Sequence, residues 1–244
     1  MATYGIIGYP LSGSFSQGYF EEKFRKEGIG DARFLPFPIQ RIEELEDVLE
    51  KQPELRGFAV TIPHKKAVVD YLYEASHVVE QIGACNCIKV RGNILTGYNT
   101  DVIGFEQSFV KQLQPHHKKA LVLGTGGAAV AVCYVLRKLE MKYHYVSRQK
   151  VANCISYNEI NEKVLRDYPV VINCTPLGMV PNIETAPPIP YHLLNKENYL
   201  FDLVYNPAVT RFLAMGEERG CTTKNGYEML IIQAEENWKI WNEQ

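Results

Sequence analysis

The chain has 244 residues, 46% hydrophobic and 22% charged, enough for one large domain or two modest ones with a proper core. Its 26 basic and 28 acidic residues leave a net charge of −2, so no basic excess points to nucleic acid and no long single-sign block reads as a tail. Six cysteines (Cys85, Cys87, Cys133, Cys154, Cys174, Cys221) form no C-x-x-C pair, which fits reduced thiols in a cytosolic protein better than disulfides or zinc.

The opening MATYGIIGYP has no basic region followed by a long apolar core, so no signal peptide is expected. TYGIIGYP reads as a strand ending in a turn. SFSQGYFEEKFRKEG reads as a helix that starts near Ser16 and stops at Gly28. ARFLPFPI is strand-like, RIEELEDVLEK is an amphipathic helix and LRGFAVTI is a third strand. PHKKAVVDYLYEA is expected to be a helix with Pro63 in its first turn. That puts Lys65 and Lys66 at the positive end of a helix dipole, a poor place for a cation and a good one for a lysine that must give up a proton. ACNCIKV and ILTGYN, on either side of RGN, form a hairpin pattern.

DVIGFEQSFVKQL reads as a helix linking this half to a second strand–helix series. Ala120 to Leu136 is an uncharged run, but its clustered glycines favour a strand, a turn and a buried helix over a membrane span. Gly124, Gly126 and Ala129 fit G-x-G-x-x-G/A directly after a strand, the dinucleotide fingerprint in which a pyrophosphate rests on a helix N-terminus. The next strand ends in VSRQK, with Ser147, Arg148 and Lys150 where an NAD enzyme carries an acid. Two cations and no carboxylate suit the 2′-phosphate of NADP. KYHYVSRQ, YPVVINCTP and NYLFDLVY supply further strands, and NGYEMLIIQAEENWKIW a long closing helix. The Pro-rich ETAPPIP is a surface loop, and no histidine spacing suggests a metal site.

Several of these segments, in order, resemble the shikimate dehydrogenase family: VTIPHK (Val60–Lys65), GACNCI around Asn86, GYNTD (Gly97–Asp101), GTGGAA, VSRQ, VINCTPLGM, DLVYNP and NGYEMLIIQA. The resemblance covers nearly the whole chain. It implies an α/β protein of two domains: a substrate domain over 1–101 plus 227–244, and a Rossmann-like NADP-binding domain over 102–226. It also implies reversible, NADP-dependent reduction of 3-dehydroshikimate to shikimate, in aromatic amino-acid biosynthesis, by a cytoplasmic monomer or homodimer with no membrane or nucleic-acid partner. Only Gln149 to Asn153 separate Arg148 from the apolar CISY, so the crossover after the second Rossmann strand is expected to be shortened and to lack a helix.

On the same resemblance, Lys65 and Asp101 are the catalytic pair. Ser14 and Ser16, at a helix start, suit the substrate carboxylate. Thr61, Asn86 and Gln233 suit ring hydroxyls, and Tyr205 is a further substrate contact. Gly124, Gly126, Gly127, Ala128, Ser147, Arg148, Lys150, Thr175 and Gly226 fall to the cofactor. Four positions depart from the family pattern: Gly13 stands for its His, Gln17 for its Pro, Ala59 for its Asn and Val102 for its Gly. Two rival readings share these motifs: a quinate/shikimate dehydrogenase of dual specificity, and a non-catalytic dinucleotide-binding homologue. Loss of the lysine or the aspartate would mark the second, and both are present.

Overall fold

The computed structural model describes residues 1–11, 14–148 and 154–243, and the chain divides into two compact units, 1–100 with 232–244 and 101–231. Gly13 and Lys150 lie outside the described residues.

The first unit runs β1 (Ala2–Gly8), α1 (Phe15–Glu27), β2 (Ala32–Pro38), α2 (Leu45–Lys51), β3 (Leu55–Val60), β4 (Glu74–Ala75), α3 (His77–Ile82), β5 (Cys87–Arg91) and β6 (Ile94–Tyr98). Its sheet has the order β2-β1-β3-β5-β6-β4. β1 is parallel to β2 and β3, whereas β5 runs antiparallel to both β3 and β6. Alternation along β1 serves both faces. Tyr4 and Ile6 join Phe20, Phe24, Phe34 and Trp241 on one side, and Ile7 joins Leu45, Phe58, Val68 and Val79 on the other. α1 ends as its sequence dictates, with Gly28 in the left-handed region (φ 67°) and its N–H bonded to the Phe24 carbonyl.

The helix expected from Pro63 does not form. Residues 62–66 are turns, and only Ala67–Tyr71 coil, as a 3-10 helix. The His64 N–H bonds back to Thr61 O, and the Lys65 carbonyl accepts from Cys85 N–H at 2.7 Å, so it is committed to the strand approach rather than to a helical ladder. Lys65 therefore lies outside any helix, and the dipole argument for it falls.

The second unit runs α4 (Asp101–Phe109), β7 (Lys119–Leu123), α5 (Gly127–Lys138), β8 (Lys142–Ser147), β9 (Cys154–Ser156), α6 (Glu162–Asp167), β10 (Val170–Asn173), β11 (Tyr199–Asp202), α7 (Arg211–Glu217), β12 (Thr222–Lys224) and the start of α8 (Tyr227–Asn242), which continues into the first unit. The strands are all parallel in the order β12-β11-β10-β7-β8-β9, the doubly wound arrangement whose direction reverses between β7 and β10. The uncharged run from Ala120 resolves into β7, a turn and α5. Among the described residues no helix is long and apolar enough to cross a membrane. Only residues 148–153 separate the parallel neighbours β8 and β9, where a crossover usually takes a dozen or more.

Candidate functional site

The sheet of the first unit gathers chemistry at one end. Ile7 pairs with Val60 and Ala59 with Cys87, which in turn pairs with Tyr98. The residues just beyond those strand ends are therefore neighbours. Thr61 N–H bonds to Ile7 O, Val60 N–H to Asn86 O and Asn86 N–H to Tyr98 O. Lys65, half-buried, is tied to the same end by its bond from Cys85. Ser14 precedes α1 without capping it through its side chain, and Ser16 is buried in the first turn.

Asn86 is held on both prongs of its amide: its Oδ1 accepts the Thr100 N–H at 2.7 Å, and its Nδ2 reaches Thr100 Oγ1 at 3.0 Å and Gln233 Oε1 at 3.4 Å. Asn237, one helical turn beyond Gln233, completes the cluster, and all four residues are buried. α8 is fixed for this by its far end, where Trp241 Nε1 donates to Ile88 O at 3.0 Å and the indole sits against Gly57, at which any Cβ would collide. His64 is a satisfied core histidine, its Nε2–H donating to Ile39 O at 2.8 Å. Among the described residues no group of three or more His, Cys, Asp or Glu side chains is placed to hold a metal ion.

In the second unit the residues just after β7 and β10 are neighbours at the reversal point. Gly124 N–H bonds to Val146 O, and Cys174 N–H to Leu123 O. Gly124 has φ 101° and lies against Thr175, so glycine is required there. Gly126 differs: a Cβ on it would meet nothing within 4 Å, and it starts α5 with no side-chain cap. At such a helix start the first backbone N–H groups have no partner within the helix itself, an arrangement that suits an anion. Ala129 is fully buried, as the third small position needs for helix–sheet packing. Ser147 ends β8, and exposed Arg148 follows it. Burial raises the Tyr157 phenol pKa, and the nearby Arg148 charge pulls against it.

Behind this edge lies a second buried network. Asn173 Nδ2 donates to Asp202 Oδ1 at 2.9 Å, and Asn173 Oδ1 accepts from Thr175 N–H and Oγ1. Asp202 also accepts from Val204 N–H at 3.0 Å and from Thr210 Oγ1 at 2.5 Å. Burial lifts its carboxyl to about 6, and those donors only partly offset the rise.

The family model for the shikimate dehydrogenase substrate binding domain matches residues 6–88. A shikimate dehydrogenase (NADP(+)) of Methanococcus aeolicus is 33% identical over 253 residues, spanning 97% of this chain and 90% of that protein. The chain belongs to the shikimate dehydrogenase family. The shikimate dehydrogenase of Aquifex aeolicus has the same fold, with a TM-score of 0.88 at 30% identity over 99% of this chain and 92% of that one. That of Thermus thermophilus, solved in complex with NADP(H) and shikimate, gives a TM-score of 0.86 at 26% identity over 99% and 94%.

The shikimate dehydrogenase motifs fall into two groups. Ser14, Ser16, Thr61, Lys65, Asn86 and Gln233 lie in the first unit. Gly124, Gly126, Gly127, Ala128, Ser147, Arg148, Thr175, Tyr205 and Gly226 lie in the second, as does Asp101, buried at the start of α4 directly after Thr100. Gly226 is pinned by contact: a Cβ there would stand 2.2 Å from Leu203 O. Half-buried Tyr205 follows β11, and burial raises its phenol pKa. Sequence reasoning passed over Thr100, Asn237, Asn173 and Asp202. The i, i+4 spacing of Gln233 and Asn237 on a helix was the available signal for one of them.

Proposed function

We propose that this chain is a shikimate dehydrogenase that reversibly reduces 3-dehydroshikimate to shikimate with NADPH. The reading is carried by the near-full-length kinship with NADP-dependent shikimate dehydrogenases, with Lys65 and Asp101 both present in the matching motifs. Bound NADP supplies the hydride donor or acceptor at the alcohol carbon. The chain's own residues must then hold the substrate and move one proton at its oxygen. Lys65 takes that proton as the alcohol is oxidised and returns it in reduction, with Asp101 orienting it. Ser14 and Ser16 receive the carboxylate, while Thr61, Asn86, Gln233 and Tyr205 read the hydroxyls. Residues 1–101 with 227–244 serve the substrate and 102–226 the cofactor.

Gly124, Gly126, Gly127 and Ala128 hold the pyrophosphate, with Thr175 and Gly226 beside them. Ser147, Arg148 and Lys150 receive the 2′-phosphate. The protein works in the cytoplasm as a monomer or homodimer. Its six free thiols support a reducing compartment, and burial holds Cys133 and Cys221 protonated, with pKa values of about 11. The deciding experiment follows nicotinamide absorbance with shikimate or quinate and each cofactor. Reduction of NADP by shikimate is expected. Turnover with quinate alone, or no turnover with either, overturns the reading.

A further inference from the structure

Asp202, the last residue of β11, is fully buried and joins three segments of the second unit. Its Oδ1 accepts from Asn173 Nδ2 at 2.9 Å and from the Val204 N–H at 3.0 Å, and its Oδ2 accepts from Thr210 Oγ1 at 2.5 Å. The Asn173 amide passes this constraint to the loop after β10. Asn173 Oδ1 accepts the Thr175 N–H at 3.0 Å and the Thr175 hydroxyl at 2.6 Å. The Thr175 hydroxyl oxygen in turn accepts the Leu177 N–H at 3.3 Å. A backbone N–H only donates and an ionised carboxylate only accepts, so the direction of each bond is fixed. Asn173 must show its oxygen to Thr175 and its NH₂ to Asp202. Turned over, its NH₂ would face the Thr175 N–H, and its oxygen would face the carboxylate.

The loop so held packs on the glycine turn after β7: Thr175 Cγ2 lies 3.1 Å from where a Cβ on Gly124 would stand. The residues flanking Asp202 reach further along the same sheet end. Leu203 N–H donates to Asn173 O at 3.0 Å, and Gly226 N–H donates to Val204 O at 3.2 Å. In an open parallel sheet, the carboxyl ends of the strands at such a reversal are where a dinucleotide binds. We infer that Asp202 is a positioning residue for NADP: through Asn173 it holds Thr175 and the loop after β10 against the glycine turn before the cofactor arrives. The inference rests on the proposed role of Thr175 and the glycine turn as cofactor contacts. A loop already held in its bound form loses little freedom on binding, whereas a loose one must be ordered at the expense of affinity.

Calorimetric titration with NADP gives a Kd that does not depend on turnover, and three substitutions separate positioning from bulk stability. Asp202→Ala removes the acceptor of Asn173 Nδ2 and should raise the NADP Kd roughly five- to tenfold. Asp202→Asn keeps an oxygen for Asn173 and Val204 and should bring the Kd back to within about twofold of wild type. Thr210→Val removes the bond to the other carboxylate oxygen and the side-chain cap of α7, but leaves the link to Asn173 intact. It should lower Tm and leave the NADP Kd within about twofold of wild type. A merely structural Asp202 would lower Tm in Asp202→Ala and leave the Kd unchanged. That result, or an equal loss of affinity in Thr210→Val, overturns the inference. Should Asp202→Ala not fold, Asn173→Ala breaks the same link one residue along. A raised NADP Kd supports the inference, and an unchanged one overturns it. A wild type that binds NADP but oxidises no shikimate sinks only the proposed function, and one that binds no NADP overturns both.

Discussion

Each unit buries one polar network at the end of its sheet where parallel strands finish, and the two differ in charge. In the first unit the ring of Asn86, Thr100, Gln233 and Asn237 is neutral throughout. In the second, Asn173, Thr175 and Thr210 are arranged around the carboxylate of Asp202. A neutral ring cannot titrate, so a backbone N–H fixes its hydrogen-bond senses at every working pH. A carboxylate accepts more donors and braces the loops after β10 and β11 more firmly, at the cost of burying a charge. The first network ties one sheet end together with neutral bonds, and the second braces the ends of β10 and β11 around a charge.

The largest expected effect lies outside both networks and calibrates them. Lys65→Ala and Asp101→Ala should each lower kcat by about 10²–10⁴ with cofactor affinity little changed. The double variant should be little worse than the worse single one, as groups working together lose non-additively. Steady-state kinetics on protein checked for folding by circular dichroism decides it. A well-folded Lys65→Ala that keeps most of its kcat across about pH 6–9 would remove Lys65 from catalysis. Lys66→Ala, exposed and outside the matching roles, should stay near wild type.

The charged network should reveal itself through pH. Burial raises the Asp202 carboxyl from 3.8 to about 6, so the native state holds this proton more tightly than the unfolded chain does. Its contribution to stability is fully present below about pH 4 and lost as pH rises through about 6, a decline of roughly 3 kcal/mol. In Asp202→Asn the side-chain oxygen can still accept from Val204 and Asn173, so the variant should lose this decline. Urea titrations of both proteins at several pH values measure it. Parallel curves across that window would contradict the assignment, and variants of the neutral ring should leave the wild-type pH dependence intact.

Cofactor choice comes next. Arg148→Ala removes a charge-assisted contact of roughly 1.5–3 kcal/mol and should lower the preference for NADP over NAD by about 10- to 100-fold in kcat/KM. An unchanged ratio would place the 2′-phosphate elsewhere. The smallest effect on folding is expected at Gly126. A Cβ there touches no protein atom, so Gly126→Ala should leave Tm nearly unaltered while raising the NADP KM. Gly226→Ala is the contrasting case, because its Cβ would meet Leu203 O at 2.2 Å and should destabilise by about 1–3 kcal/mol. Thermal melts with and without NADP separate the two glycines.

Apolar runs and punctuation residues made much of this fold legible. β1, β7, β10 and β11 are short apolar runs, Gly28 stops α1, and the β5–β6 hairpin follows its alternation. The short elements α3, α6 and α7, and strands β4, β9 and β12, were not legible: each is only two to seven residues and lacks the continuous apolar run that marks β10 and β11. The turn at residues 62–66 misled for a different reason. Its local sequence favours a helix, but the Lys65 carbonyl is taken by Cys85, twenty positions along the chain.

Fold class, the glycine loop, the basic residue after β8 and kinship with the shikimate dehydrogenases could all be read before any coordinates. Each of these is written in contiguous residues whose chemistry acts locally. That Asn86, Thr100, Gln233 and Asn237 form one ring, and that Lys65 stands in a turn rather than in a helix, emerged only once the chain was folded. Thr100 and Asn237 are 137 positions apart, and their hydrogen bond exists because the β5–β6 register and the Trp241 anchor bring α8 to that sheet end. Hydrogen-bond direction depends on which donors meet in space, and no local pattern encodes that.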